Sequence, residues 1–198
     1  MTLETVSPET TGQWFHLPGE ARWWFDSGSL ALDFAYTGAL EGNQETLLSP
    51  ADLGGWLATR FPRIDTEVSE RELADALGFR AAIARLALAS VQGEPLPASD
   101  IDVINLFAAL ADLPPSLPGG TRQAGASRAR ATQALSTIAR DAIATFSPTV
   151  RDRIRECSAD DCSLLYLDTS RSGNRRWCSM QRCGNRAKVR AHRARTTR

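Results

Sequence analysis

The stretch CSADDCSLLYLDTSRSGNRRWCSMQRCGNR, residues 157–186, decides the fold of the C-terminal part of this 198-residue chain. It holds all four cysteines of the sequence as two close pairs, Cys157 with Cys162 and Cys178 with Cys183. Four residues lie between the two cysteines of each pair. Two such pairs supply four thiolates to one tetrahedral Zn²⁺ ion, and soft thiolate ligands favour zinc. Four protein ligands leave no position for water, so the pattern predicts one structural zinc ion.

Three other interpretations of the cysteines stay open at this point. Two disulfides would be disfavoured in a reducing cytoplasm. An iron–sulfur cluster also takes four thiolates, but the symmetric pairs fit zinc better. Four unrelated buried thiols are the third alternative.

Short predicted elements surround the cysteines. Residues 163–168, SLLYLD, form an apolar strand that can pair with 151–156, and Ser-Gly-Asn within 169–176 indicates a turn. Ser179 is placed to cap a helix that runs to about Arg195. A hairpin and a helix clamped on zinc resemble a treble-clef finger, and a module this small depends on its metal for stability.

The charge of the chain is segregated, although the net charge is zero. Residues 1–150 contain 10 arginines against 18 acidic residues, a net charge of −8. Residues 151–198 contain 13 basic residues against 5 acidic ones, a net charge of +8. This division predicts two modules with different partners, and a basic module favours a polyanion.

The predicted C-terminal helix carries basic residues that we expect to contact double-stranded DNA. Four arginines recur along it at steps of four, four and three residues and form one stripe. Such a stripe suits phosphates, with one or two arginines able to reach guanine edges. The alternative is a solvated basic face, or one docked on a protein or on the acidic part of the same chain. The predicted DNA-contacting residues are Arg175, Arg176, Arg182, Arg186, Lys188, Arg190 and Arg193.

The N-terminal 150 residues predict a mainly α-helical domain of about five helices with little β-structure. Residues 1–22 are polar, include two prolines, and are expected to be a flexible or extended arm, followed by a short strand at Trp23–Phe25. We place the helical domain at 23–148 and the basic finger at 151–198. Caps and proline stops predict helices over 30–38, from Pro50 to before Pro62, over 69–92, from Ser99 to before Pro114, and over about 127–146.

The run RRWCSMQRCGNR at 175–186, with the first cysteine pair and LLYLD, resembles the signature of the CGNR zinc-finger family. The resemblance covers about 155–195; it implies that Cys157, Cys162, Cys178 and Cys183 bind zinc and that the module binds nucleic acid. Upstream, LALDFAYT at 30–37 and LGGWL at 53–57 resemble motifs of the ABATE domain, which commonly precedes this finger. Tyr36 stands where that family usually has asparagine. The resemblance implies a bacterial, stress-linked transcription regulator.

An effector pocket in the N-terminal domain is a further hypothesis, with Trp23, Trp24, Asp33, Tyr36 and Trp56 as its candidate lining. Buried carboxylates usually have structural partners and aromatic residues are more often core, so a packed core is the favoured interpretation. A single small finger binds weakly, which makes a homodimer formed through the helical domain a further expectation.

Several classes of protein are excluded by what the sequence lacks. It has no stretch of 18 apolar residues and no apolar leader segment, so we expect a cytoplasmic protein, associated with the nucleoid when bound to DNA. It has no nucleophile elbow, P-loop or Rossmann glycine run, and we expect no enzymatic activity. The competing functions are a protein-interaction adaptor and a thiol redox sensor that acts through the zinc cysteines.

Overall fold

Helices form about half of the part of the chain that the computed structural model describes, which is residues 11–15, 22–40, 44–61, 63–114 and 128–196. Its helices are α1 (Leu30–Ala35), α2 (Pro50–Ala58), α3 (Glu70–Gln92), α4 (Ala98–Ala108), α5 (Ala131–Thr145) and α6 (Asn185–Thr196). Its strands are β1 (Gln13–Phe15), β2 (Trp23–Phe25), β3 (Ile154–Glu156) and β4 (Leu165–Leu167). The predicted fold class, mainly α with a small hairpin-and-helix finger, is confirmed.

The longest helix, α3, begins and ends at local signals in the sequence. The Ser69 backbone N–H donates to Glu72 Oε2 (2.8 Å) and the Glu72 N–H donates to Ser69 Oγ (3.2 Å), a reciprocal capping box. The helix ends at Gly93, whose φ of 70° lies in the left-handed region. Its alanine-rich inner face packs against α1 and α4, where the rings of Phe79 and Phe107 stack with centroids 4.4 Å apart.

Two helices start at different residues from those predicted. α4 begins at Ala98, because Pro97 takes an extended conformation immediately before it and Ser99 lies inside the helix. α5 begins at Ala131, because the preceding chain is held extended by a bridge in which the Asp65 N–H donates to the Ala129 carbonyl (2.7 Å). Residue 127, where α5 was expected to begin, lies outside the described residues.

Part of the predicted N-terminal arm is a strand. Within 1–22 the structure describes 11–15 and 22, and β1 pairs antiparallel with β2, with Phe15 opposite Trp23. Phe15 and Phe25 are fully buried and meet the ring of Tyr36 edge to face at 5.3 and 5.1 Å. These two strands, the N-terminal ribbon, therefore cover one side of the core next to α1.

The cysteine-rich segment shares its core with the helical domain. β3 and β4 pair antiparallel, as expected from the sequence, and Ile154, Leu165 and Tyr166 are buried in the same hydrophobic cluster as the helices. Pairing with β3 uses the Leu164 carbonyl and the Asp168 N–H, so the peptide groups of Leu165 and Leu167 point the other way. That second edge of β4 lies against the N-terminal domain.

The second edge of β4 is satisfied by residues from the start of the chain. The Leu167 N–H donates to the Ser27 carbonyl (2.7 Å). The Tyr36 hydroxyl accepts from the Leu165 N–H (2.6 Å) and donates to the Leu165 carbonyl (3.0 Å). Gly28 lies beside this contact with φ of 77°, and a Cβ there would come 2.5 Å from the Leu167 carbonyl oxygen. Glycine therefore allows the two parts of the chain to meet this closely.

Candidate metal centre and basic helix

The sulfur atoms of the four cysteines converge on one point. All four lie within 4.8 Å of one another, with 3.7 Å between Cys162 Sγ and Cys178 Sγ and 3.5 Å between Cys178 Sγ and Cys183 Sγ. A tetrahedral zinc ion with Zn–S bonds of about 2.3 Å places its sulfurs about 3.8 Å apart. The cluster therefore has the size and the donor set of a zinc site.

Two backbone turns and one helix start place these sulfurs. Cys157 follows β3 and is held by its N–H bond to the Leu164 carbonyl (3.0 Å), and Cys162 closes the first turn on the Ala159 carbonyl (3.0 Å). Cys178 donates its backbone N–H to Cys157 Sγ (3.4 Å), which ties the two pairs together. Cys183 lies in a wide π-type turn at 180–184 that leads into α6. Ser179 precedes this turn, but its side chain makes no capping hydrogen bond.

Without a cation, the cluster keeps some of its thiols protonated. Hydrogen bonding to the Cys157 sulfur raises the pKa of the Cys162 thiol to about 12 and raises the pKa of Cys178 further, and burial adds to both shifts. Four ionised sulfurs at these distances are stable when a cation lies between them. The chain therefore binds one structural zinc ion through Cys157, Cys162, Cys178 and Cys183, and the predicted cofactor is confirmed. With four protein ligands this zinc acts as a cross-link between the hairpin and α6.

Arg182 and Arg186, two members of the predicted DNA-contacting set, face the sulfur cluster. Arg182 Nη1 lies 3.7 Å from Cys162 Sγ, and Arg186 Nη2 lies 3.4 Å from Cys183 Sγ. The guanidinium of Arg182 also stacks over the Trp23 ring, 4.3 Å from its centroid. The first half of the arginine stripe is therefore engaged at the metal centre.

Arg175 is engaged inside the finger as well. Its guanidinium stacks over the Tyr166 ring at 4.2 Å and donates to the carbonyls of Asp26 (2.9 Å) and Trp177 (3.0 Å). Its backbone N–H donates to the buried carboxylate of Asp168 (2.9 Å). Burial raises the pKa of Asp168, but hydrogen bonds from Ser170 and Arg175 outweigh that effect and keep the pKa below its usual value.

Asp168 is a residue whose role the sequence did not reveal. It ends the strand that carries the LLYLD motif, and its oxygens also accept from the Ser170 N–H (2.9 Å). By holding both sides of the turn between β4 and Cys178, it fixes the approach of the second cysteine pair. Its place directly after an apolar strand was the signal in the sequence.

The other four members of the predicted set lie on the surface of the finger. Arg176, Lys188, Arg190 and Arg193 have exposed side chains. Arg176 lies over the Trp177 ring at 5.1 Å, and Arg190 Nη2 lies 3.7 Å from a carboxylate oxygen of Asp161. Asp161 also pairs with Arg186 (3.4 Å), so one acidic side chain lies beside the basic stripe.

The candidate effector-pocket residues lie mostly in packing contacts. Tyr36 is fully buried on β4, Trp23 is buried beneath Arg182, and Trp56 is half-buried with the Arg60 guanidinium 4.2 Å over its ring. Trp24 is 40% exposed and borders an open cleft of about 620 Å³ between β2 and the second cysteine pair.

Asp33 has structural partners on three sides. It is fully buried and accepts hydrogen bonds from Ser27 Oγ (2.6 Å) and from the Gly12 backbone N–H. Arg60 Nη2 lies 4.0 Å from it. Burial is the main cause that raises the pKa of Asp33 to about 6, and these partners reduce the rise. The carboxyl group ties β1 to α1.

Comparison with known families identifies two regions of the chain. Residues 28–147 match the ABATE family, described as "Putative stress-induced transcription regulator", and this match spans more than half of the chain. Residues 153–196 match the CGNR zinc finger. No curated protein matches the chain significantly. Within the described residues, no helix combines the length and apolar character needed to cross a membrane.

Proposed function

Since the chain belongs to the ABATE family and ends in a CGNR zinc finger, we propose that it regulates transcription by binding double-stranded DNA through that finger. It is a zinc-binding regulatory protein on the family evidence and the four-cysteine cluster. We propose that its partner is DNA and that it acts in the cytoplasm. No catalytic role is assigned to any residue.

The observation that supports DNA binding most strongly is the position of α6. The helix leaves the zinc centre at Cys183 and carries Lys188, Arg190 and Arg193 as exposed cations along its 12 residues. The turn at 180–184 that leads into it contains the ligand Cys183 and packs against the start of α6, so the helix is anchored at the metal centre. A rigid positive helix can enter a DNA groove or lie along the phosphates without losing much conformational freedom.

The basic residues of the finger have two different roles under this proposal. Arg176, Lys188, Arg190 and Arg193 contact phosphates because their side chains are exposed. Arg175, in contrast, holds the chain between β4 and Cys178 and contributes to DNA binding through the shape of the finger. Phosphate contacts set affinity and register, whereas base reading sets sequence preference.

The N-terminal domain is proposed to regulate the finger through their shared core. Ser27 and Tyr36 bond directly to β4, and Trp23 lies against Arg182. A shift of β2 or α1, caused by an effector or by a second copy of the chain, is therefore transmitted to the hairpin that holds two zinc ligands. Light scattering across protein concentration tests the homodimer, and calorimetric titration of small molecules into the zinc-loaded chain tests the effector.

The test of DNA binding compares two charge variants of the full, zinc-loaded chain, one in the finger and one in the helical domain. The triple variant Lys188→Gln, Arg190→Gln, Arg193→Gln removes three exposed finger cations. The control Arg71→Gln removes an arginine on α3 whose side chain is 92% exposed. Each protein is titrated into a labelled 20-bp duplex of mixed sequence at several salt concentrations, and its zinc content is measured.

The expected result is a loss of affinity in the triple variant and wild-type affinity in the control. Each phosphate contact removed reduces the log–log salt slope by about 1, so the triple variant loses about 3. Wild-type affinity in the triple variant would overturn the assignment of these residues. Absence of duplex binding by the wild type at low salt would overturn the proposed function and favour an adaptor that binds an acidic protein.

A further inference from the structure

The zinc centre carries a charge that the protein must balance. One Zn²⁺ ion with four thiolates has a net charge of −2. Three of the four cysteines are at most 5% exposed, and the cluster forms part of the hydrophobic core. Burying uncompensated charge is costly, so groups that donate hydrogen bonds or positive charge to the sulfurs stabilise the loaded site.

Two guanidinium groups are placed to supply this charge. Arg182 Nη1 lies 3.7 Å from Cys162 Sγ, a ligand of the first pair. Arg186 Nη2 lies 3.4 Å from Cys183 Sγ, a ligand of the second pair. The two positive charges balance the net charge of −2 on the loaded site, and each acts on a different cysteine pair.

Both guanidinium groups are also held from their other side. Arg182 stacks on the Trp23 ring, whose residue is 6% exposed, so the cation lies between the N-terminal ribbon and the sulfur. Arg186 Nη1 pairs with Asp161 at 3.4 Å, and its side chain is 34% exposed. These contacts fix the direction of the N–H groups toward the thiolates.

The spacing along the chain explains why these two positions can do this. Arg182 directly precedes Cys183 within the π-type turn, and Arg186 follows Cys183 by three residues, on the same side of the helix start. Arg190, one turn further along, makes a 3.7 Å contact with Asp161. The arginine stripe therefore changes its role along the helix.

We propose that Arg182 and Arg186 are positioning residues of the zinc centre, which hold and neutralise its thiolates. The proposal concerns zinc retention and holds whether or not the chain binds DNA. Zinc supplies the cross-link, and each arginine donates to one sulfur of a different cysteine pair and holds that sulfur in place. Arg182 additionally links the state of the metal centre to the N-terminal ribbon through Trp23.

The test uses Arg182→Gln and Arg186→Gln in the full chain, with Arg190→Gln as the matched control on the same helix. Zinc affinity is measured by competition with a chromophoric chelator at neutral pH. Loss of an outer-shell partner weakens metal binding about 10- to 100-fold. We expect that loss in each of the first two variants and no more than about a twofold change in the control.

A spectroscopic readout separates positioning from a general effect on folding. In the cobalt-substituted protein, removal of a cationic donor makes the sulfurs more electron-rich and moves the sulfur-to-cobalt charge-transfer bands to lower energy. Arg182→Lys and Arg186→Lys keep the charge, so they should recover part of the zinc affinity and of the band position. They also replace the glutamine variants in both measurements if those fail to fold.

Two results would overturn the proposal. One is wild-type zinc affinity and unshifted cobalt bands in both the Arg182 and Arg186 variants. The other is an equal loss in Arg190→Gln, which would show a general effect of helix charge.

Discussion

Substitution of Tyr36 by phenylalanine tests the contact between the helical domain and the finger. The Tyr36 hydroxyl is the atom that pairs with both peptide groups of Leu165 on the second edge of β4. Tyr36 is fully buried, and Leu165 is 4% exposed, so water cannot replace the hydroxyl. Tyr36→Phe keeps the ring and removes this partner.

The size of the effect follows from the two groups left unpaired. A buried backbone donor or acceptor without a partner costs about 1–3 kcal/mol, so loss of both costs about 2–6 kcal/mol. For a chain of this length, that corresponds to a fall in Tm on the order of 10 °C. The zinc affinity should fall as well, since β4 leads from the first cysteine pair to the second.

The assay is equilibrium urea unfolding of the zinc-loaded chain, with zinc competition measured in parallel. Tyr166→Phe is the matched comparison, because the Tyr166 hydroxyl makes one hydrogen bond, to the carbonyl of the partly exposed Arg175. It should cost about 1 kcal/mol. A change below about 0.5 kcal/mol in Tyr36→Phe, with an unchanged slope against urea, would refute the idea that this hydroxyl joins the two parts.

Three further substitutions give separate tests. Gly28→Ala places a methyl group 2.5 Å from the Leu167 carbonyl oxygen at a φ of 77°, so it should lower the unfolding free energy by more than about 2 kcal/mol in urea. Asp161→Asn removes the acidic neighbour of Arg190 and, in protein shown to carry a full complement of zinc, should strengthen duplex binding about two- to fivefold at low salt, measured by anisotropy. Asp33→Asn should abolish a pH dependence of stability. Burial raises the pKa of Asp33 to about 6, so the folded protein holds a proton that the unfolded chain has lost, and this contribution falls by about 1 kcal/mol from pH 5 to pH 7.

Each of these expectations has an opposite outcome. Wild-type stability in Gly28→Ala would show that β4 does not approach this residue. Unchanged or weaker duplex binding in Asp161→Asn would place the phosphates away from Arg190. Stability curves of the wild type and of Asp33→Asn that run parallel from pH 5 to pH 7 would mean that Asp33 is ionised throughout.

The sequence predicted the zinc site well because ligand number and spacing are local properties. Two cysteine pairs, each with four intervening residues, define a tetrahedral donor set before any tertiary contact is known. Helix α3 was predictable for the same reason, since the capping box at Ser69 and the left-handed Gly93 are both local signals.

The roles of the arginines depend on contacts that periodicity does not contain. Helical spacing places Arg182, Arg186, Arg190 and Arg193 on one stripe, but it does not give the rotation of that stripe about the sulfur cluster. The structure shows that the first two arginines lie against thiolates and the last two are exposed. Counting positive charges in a sequence overstates the number available for phosphates when some of them neutralise a metal centre.

The contacts of Tyr36 and Asp33 were out of reach for a different reason. Tyr36 meets Leu165 across 129 residues, and Asp33 meets Gly12 across 21. From the sequence, both side chains are compatible with an effector pocket and with a packed core, because a polar group among apolar ones suits either role. Their partners lie in β4 and directly before β1, in positions that only the folded chain defines.

The most direct test of the whole account is duplex binding by the zinc-loaded and the zinc-stripped chain under reducing conditions, across 50–200 mM salt. Four phosphate contacts from Arg176, Lys188, Arg190 and Arg193 predict a log–log slope of about −3 to −4 for the loaded protein. The stripped protein should bind the duplex far more weakly and recover when zinc is restored. Equal binding with and without zinc, or no affinity at the lowest salt, would contradict the account.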